Sequence, residues 1–310
     1  MKEDKNMQPK EQIIIESEIM YYNIKGRKRR MELTDQITYD RLEDIAPNVK
    51  FFAIYNGHGI RGIDLAEYFK KVMRIKLIED RNIISNFKEI KDVKLFFIEY
   101  FKSFQNKIPK DNVEFQYSGI CVIIVLIIDN KMFVINLGNS RCILGQKTEK
   151  VKKHLVITIE HTIKRDDEKK RICENGGVIK EDNNGILMIY TKEDKCLGIE
   201  ISRSLGDIFG HEIEVSCEPD IFEKELNNED CFIVIGNNEI WNIMNNSEIK
   251  EFIFNKMETN DKIKCSKLLV QECRQKWEER NLIENKYDIE DLACIIDFIN
   301  IKKADKLILK

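Results

Sequence analysis

The sequence predicts an α+β protein in which a sandwich of β-sheets is flanked by helices. Residues 119–128 and 132–144 are rich in Val, Ile and Leu and are separated by a polar turn at 129–131, a pattern typical of strands that are buried on both faces. Strands and helices occur in blocks rather than in regular alternation. This order favours α+β packing over a regular βαβ fold.

The remaining elements follow from apolar periodicity. Apolar side chains recur at helical spacing in residues 62–80, 87–108, 246–258 and 261–280. A further helix is predicted at 164–175, because the Gly176–Gly177 pair is a favoured helix stop. An apolar run at 293–299 predicts the last strand. With no Pro/Gly/Ser-rich linker, we expect one domain over residues 21–300, an N-terminal tail at 1–20 and a C-terminal tail at 301–310.

The composition excludes several classes of function. The 51 Lys and Arg residues nearly balance the 54 Asp and Glu residues, giving a net charge of -3, so no global positive field is present to recruit nucleic acid. The most apolar run, 119–128, is half of the roughly 20 residues that span a bilayer, so no membrane partner is expected. The nine cysteines show no CxxC spacing, which fits reduced thiols and predicts a cytoplasmic or nuclear protein.

Six short motifs together resemble the signatures of the PP2C family of metal-dependent Ser/Thr protein phosphatases. Residues 51–59, FFAIYNGHG, are similar to the family pattern FFxVYDGHG. The others follow in family order, at 118–119 with 136–141, at 160–177, at 202–207 (SRSLGD), at 218–220 and at 230–244. The resemblance covers about residues 21–299. It implies a four-layer α-β-β-α sandwich, with two antiparallel sheets flanked by helix pairs.

The acidic residues of the family's metal centre are mostly absent. Asn56 stands at the position of the acid that bridges the two metals, Asn238 at that of a second ligand, and Asn139 at that of an acid often linked to a third metal. Residues 26–33, GRKRRMEL, resemble the family's N-terminal motif G.R..MED, in which Glu32 is kept but Leu33 replaces the next acid. The last family acid falls on Glu290-Asp291, with Asp288 an alternative at a shifted alignment, and Gly57 would offer only its backbone carbonyl.

These substitutions remove the charge that a pair of metal ions needs. The family's reaction uses two Mg²⁺ or Mn²⁺ ions to position and ionise a water. Two dications about 4 Å apart repel by roughly 16 kcal/mol at an effective dielectric of about 20, and neutral amides do not offset that repulsion. We therefore assign no catalytic residue and expect no cofactor, although Glu32 and Glu290 could retain a single Mg²⁺ or Mn²⁺.

A basic run beside the N-terminal motif is a candidate phosphate contact. The family's phosphate-binding Arg falls on Lys28, with Arg27 and Arg29 beside it, and His58 is the His of the glycine-flanked turn. The alternatives are a solvated strand edge or a nuclear-localisation patch for the basic run, and a turn-stabilising role for His58.

The resemblance implies a pseudophosphatase that binds a protein or phosphoprotein partner without hydrolysing it. The alternative is a weak Mn²⁺- or Mg²⁺-dependent protein Ser/Thr phosphatase that uses Glu32, Glu290 and the carbonyl oxygens of Asn56, Gly57 and Asn238. A third hypothesis is a domain that stabilises a complex without using the candidate metal and phosphate positions.

Overall fold

The computed structural model of the chain describes residues 13–25, 36–42, 45–109, 113–182, 185–192, 198–259, 261–284 and 291–303. Its strands are β1 (Ile13–Ile24), β2 (Gln36–Leu42), β3 (Val49–His58), β4 (Gly119–Ile128), β5 (Lys131–Leu137), β6 (Arg141–Lys147), β7 (Lys152–Val156), β8 (Val178–Glu181), β9 (Leu187–Tyr190), β10 (Leu205–Gly206), β11 (Asp220–Glu225), β12 (Asp230–Gly236) and β13 (Leu292–Lys303). Its helices are α1 (Gly62–Glu79), α2 (Arg81–Ile84), α3 (Ile90–Gln105), α4 (Val113–Gln116), α5 (Asp166–Glu174), α6 (Ile208–His211), α7 (Asn238–Ile243), α8 (Asn246–Glu258) and α9 (Cys265–Glu284).

Two antiparallel sheets form the centre of the molecule. The first sheet has the strand order β1-β13-β12-β6-β7, and the second has the order β11-β5-β4-β3-β2, with β10 paired to β4. Successive side chains of a strand point to opposite faces. On β3, Phe52 and Ile54 therefore pack into the layer between the sheets, whereas Phe51 and Tyr55 pack against helices. Burial on both faces explains the unbroken apolar sequence of β4.

Helices cover the outer face of each sheet. A cluster that includes Phe69 of α1 and Phe101 of α3 packs on the second sheet. A separate cluster that includes Ile253 of α8 and Leu269 of α9 packs on the first sheet. The expected four-layer α-β-β-α sandwich is confirmed, and it arises because each sheet and each helix pair has one apolar surface to bury.

The expectation of a single strand at 132–144 is wrong. The chain forms β5 and then β6, and these two strands belong to different sheets. The break occurs at Gly138, which has φ of +105° and a backbone so close to Cys121 that a Cβ would lie 2.3 Å from its Sγ. Glycine adopts this conformation without the strain of a side chain, so the chain crosses between the sheets here.

The other predicted elements differ from the structure mainly at their ends. Helix α8 matches the predicted segment because Asn245 caps it, accepting hydrogen bonds from the backbone N–H groups of Ser247 and Glu248. The strands at the two ends of the chain extend past the expected domain limits of 21 and 300, since Ile13–Ile24 pairs with Leu292–Lys303 along its whole length. Among the described helices, none is long and apolar enough to cross a membrane.

Candidate functional site

The last three residues of β3 are Asn56, Gly57 and His58. Gly57 lies against the start of α1, where a Cβ on it would be 2.3 Å from the backbone oxygen of Gly62. Only glycine allows the strand and the helix to approach this closely. Asn56 is buried, with 4% of its surface exposed. The motif residues thus form a tight strand-to-helix connection at the end of the second sheet.

His58 forms an ion pair with Asp207, the last residue of the motif at 202–207. His58 Nε2 lies 2.7 Å from Asp207 Oδ2, and Ser204 Oγ donates to the same carboxylate oxygen at 2.5 Å. A Cβ on Gly119 would lie 2.3 Å from Asp207 Oδ2 and 2.7 Å from His58 Nε2. A glycine at the start of β4 is therefore required for the pair to form.

This pair shifts the titration of both partners. Burial alone would lower the pKa of His58, but the Asp207 carboxylate, with a contribution from the Cys121 thiol, raises it well above the usual value. Burial alone would raise the pKa of Asp207, but His58 and Ser204 hold it below its usual range. About a quarter of the His58 side chain is exposed.

Asn139 lies in the crossing between β5 and β6. Its Oδ1 accepts a hydrogen bond from the Cys121 thiol, with 3.6 Å between Sγ and Oδ1. The backbone N–H of the preceding Gly138 donates to His161 Nδ1 at 3.0 Å, so the ring proton of His161 is on Nε2. Burial, together with the charge of Arg203, lowers the pKa of His161. A neutral, buried imidazole thus fixes the loop that carries Asn139.

A network of buried charges stabilises the loop that carries Asn139. Glu168 has no exposed surface, and its carboxylate accepts hydrogen bonds from Arg171 at 2.7 and 2.8 Å and from Arg203 at 2.7 Å. Arg203 also donates to Asp220 at 2.9 Å, and Asp220 Oδ2 lies 3.0 Å from His161 Nε2. The motif residues that lack a metal role therefore act as one structural unit.

Asn238 is the first residue of α7, which follows β12 of the first sheet. The preceding residue, Asn237, joins this helix to the start of β13, because its side chain donates to the Asp291 carbonyl at 2.8 Å and accepts from the Ala293 N–H at 3.1 Å. Asp291 is buried, with 7% exposed. The structure thus places a carboxylate residue immediately before β13.

Two amide oxygens at the candidate metal positions lack hydrogen bonds. Asn56 Oδ1 and Asn238 Oδ1 are buried, and neither has a hydrogen-bond partner within the described residues, whereas Asn238 Nδ2 donates to Glu239 at 2.6 Å. Across the same residues, no group of three or more His, Cys, Asp or Glu side chains is placed to hold a metal ion. Buried oxygens without a donor are suited to accept from a water or to bind one hard cation.

Several predicted site residues lie outside the described residues. These are Arg27, Lys28, Arg29, Glu32, Leu33 and Glu290. Sequence reasoning did not pair His58 with Asp207, nor place Cys121 beside Asn139. His58, Asp207 and Asn139 lie within motifs, and Cys121 follows one. No local sequence pattern, however, links His58 to Asp207, which is 149 residues away.

Comparison with known proteins supports the same family. The profile of "Protein phosphatase 2C" matches residues 19–282. Among curated relatives, "Probable protein phosphatase 2C 65" of Arabidopsis thaliana is 23% identical over 270 residues, which cover 81% of this chain and 68% of that protein. The human "Integrin-linked kinase-associated serine/threonine phosphatase 2C" is 27% identical over 246 residues, which cover 76% of this chain and 59% of that protein.

Solved structures show the same fold. A serine-threonine phosphatase 2C from Toxoplasma gondii aligns with a TM-score of 0.76 and 15% identity, covering 91% of this chain and 94% of that one. A C. elegans sex determining protein aligns with a TM-score of 0.59 and 17% identity, covering 91% of this chain and 64% of that one. Fold, motif order and family profile agree, and the chain belongs to the protein phosphatase 2C family.

Proposed function

We propose that this family member is a pseudophosphatase, which binds a protein or phosphoprotein partner without hydrolysing it. The observation that carries the proposal is the presence of three neutral amides, Asn56, Asn139 and Asn238, at positions where the family has acids. Asn56 lies near the end of β3, Asn139 between β5 and β6, and Asn238 at the start of α7. Contacts of these residues or of their neighbours hold the backbone there. The proposal is therefore a loss of charge at positions whose backbone is held in place.

The described residues fit a pair of divalent metal ions poorly. The unpartnered oxygens of Asn56 and Asn238 are neutral ligands, and an amide also carries N–H donors that repel a cation. Such oxygens suit at most one weakly held hard cation, since two adjacent dications require several carboxylates to offset their repulsion. We infer that this centre does not ionise a water for attack on phosphate.

Retention of the scaffold supports a binding role. The buried network around Glu168 and the His58–Asp207 pair keep the loops in position, although neither contributes a metal ligand. Any charge on His58 is balanced by Asp207, 2.7 Å away, so the pair holds the backbone and adds no net charge. The candidate contacts Lys28, Arg27 and Arg29 are basic and favour a partner that carries a phosphoryl group.

The test is a paired hydrolysis and binding experiment. Phosphate release from a phosphothreonine peptide is measured with Mn²⁺ and with EDTA, and binding of the same peptide is measured by fluorescence anisotropy. We expect equal, background release under both conditions, together with saturable binding that weakens in a Lys28→Gln/Arg29→Gln variant. Mn²⁺-dependent turnover would overturn the proposal. Equal affinity for the unphosphorylated peptide would instead favour docking that does not use the cleft.

A weak Mn²⁺-dependent phosphatase is the second candidate, and Asp291 is the observation that favours it. This buried residue immediately precedes β13, next to Glu290, so this corner of the cleft can supply carboxylate oxygen to one cation. The distinguishing result would be Mn²⁺-stimulated turnover that is abolished in both Glu290→Ala and Asp291→Asn.

A further inference from the structure

A second concave site lies at the edge of the sandwich, away from the candidate metal positions. It is a cavity of about 550 Å³ where β1, β2, β13 and α1 meet. It is lined by Asp40, three cationic side chains (Arg41, Lys70 and Arg74), and Ile19, Tyr21 and Ile295. Asp40 pairs with Ala53 of β3. Ala53 precedes Asn56 by three residues, so the two lie roughly 10 Å apart along the strand at about 3.3 Å per residue.

The cationic groups of this edge cavity are held by specific contacts. Lys70 Nζ donates to Thr38 Oγ1 at 2.8 Å, and Arg74 Nη1 donates to Asp40 Oδ1 at 2.9 Å. Arg41 extends along the edge of β2 and donates to the Ile19 carbonyl at 3.4 Å. Lys70 and Arg74 are partly exposed. Their remaining N–H groups can therefore meet a ligand with little loss of side-chain freedom.

Asp40 positions Arg74 within this array. Its carboxylate is almost fully buried, and Oδ1 accepts both the Arg41 backbone N–H at 2.8 Å and the Arg74 guanidinium. Oδ2 is buried and has no hydrogen-bond partner within the described part of the chain. Asp297, two residues after Ile295 on β13, is also buried, and Glu67 lies 3.4 Å from Lys70 Nζ. The three cations are therefore balanced by carboxylates in the wider region, but Asp40 is the one acid among the described residues that line the cavity.

The edge cavity has the size and chemistry of a small-molecule site. Its volume lies within the range of about 300–1,000 Å³ that is usual for ligand pockets. The side chains of Ile19, Tyr21 and Ile295 form an apolar wall opposite the cationic groups. The guanidinium group of Arg74 matches the geometry of phosphoryl oxygens, and the Lys70 ammonium group supplies a second positive charge. We propose that the edge cavity binds a small organic phosphate, with the phosphoryl group on Lys70 and Arg74 and the organic part against the apolar wall.

The experiment measures binding of phenyl phosphate to the full chain by isothermal titration calorimetry, with phenol and inorganic phosphate as comparison probes. We expect saturable binding of phenyl phosphate, weaker binding of inorganic phosphate, and no measurable binding of phenol. Lys70→Gln and Arg74→Gln should each weaken binding by about tenfold, the equivalent of one charge-assisted hydrogen bond. Lys71→Gln, an exposed change on the same helix outside the cavity, should leave the affinity unchanged.

Three outcomes would overturn the proposal. They are the absence of phenyl phosphate binding, equal binding of phenol, and binding that falls in His58→Gln but not in Lys70→Gln, which would place the ligand in the candidate metal cleft. If Arg74→Gln unfolds because it leaves Asp40 buried without its partner, the double change Asp40→Asn/Arg74→Gln removes both charges together. That variant should still bind phenyl phosphate about tenfold more weakly, because it lacks the guanidinium fork.

Discussion

Replacing Glu168 with Gln tests whether the buried charge network stabilises the cleft loops. The carboxylate is fully buried and is bonded by Arg171, Arg203 and Ser202. Burial alone would raise its pKa, but these three hydrogen-bond donors lower the pKa from 4.5 to about 2. Glu168→Gln keeps the shape of the side chain and removes its charge.

The unfolding free energy that Glu168→Gln should lose follows from that pKa. A lowering of the pKa from 4.5 to about 2, at about 1.4 kcal/mol per unit, corresponds to roughly 3 kcal/mol of unfolding free energy at pH 7. Because the folded pKa lies below the unfolded value, this contribution is fully present above about pH 5 and is lost as the pH falls through about 2. At pH 3 the cost of Glu168→Gln should therefore be only about 1 kcal/mol.

The assay is denaturant unfolding at pH 7 and pH 3, followed by the fluorescence of the two Trp residues. The difference between wild type and variant at each pH largely cancels the titration of other carboxylates. Glu174→Gln is the matched control, since Glu174 is exposed on the same helix and 3.8 Å from Lys170, and it should cost less than about 1 kcal/mol. An equal cost of Glu168→Gln at both pH values would refute the reasoning.

Two substitutions and one labelling experiment test other parts of the structure. Asp207→Asn should lower the pKa of His58 from well above its usual value to about 6.5 or below, as seen by NMR titration; an unchanged pKa would contradict the pairing. The pKa of His154 should not change in that variant, because its lowering is caused by burial and by the charge of Lys250. Gly119→Ala should destabilise the fold by about 1–3 kcal/mol in thermal unfolding, because its Cβ overlaps Asp207 and His58, and full stability would exclude that clash. A maleimide should modify the exposed Cys173 before Cys265 and Cys273, since burial raises the pKa of those two thiols to about 12; equal rates measured by mass spectrometry would show that these core thiols are accessible.

The sequence predicted the layers of the fold because apolar periodicity reports directly on burial. Segments such as β4, which is apolar throughout, and α8, with its Asn245 cap, were predicted with little error. The segment 132–144 was not, because an apolar run does not show where the chain changes sheets. The available signal was Gly138, whose positive φ permits the crossing.

The candidate site was predictable only in part. The motifs identified Asn56, Asn139 and Asn238 as neutral residues at positions where the family motifs have acids. The structure places Asn56 near the end of β3, Asn139 between β5 and β6, and Asn238 at the start of α7. The partner of His58 could not be predicted, because Asp207 is 149 residues away and reaches His58 only through the packing of β10 on β4. The edge cavity likewise combines β1, β2, β13 and α1, which no local pattern connects.

The central claim, that the cleft has kept its shape and lost its charge, is tested most directly by calorimetric titration with Mn²⁺. Wild type should show no pair of tightly bound ions and at most one weak site. Asn56→Asp/Asn238→Asp should gain Mn²⁺ affinity, because it returns two carboxylates to loops that are already in place. Tight binding of two Mn²⁺ per wild-type chain, unchanged in the double variant, would contradict the account.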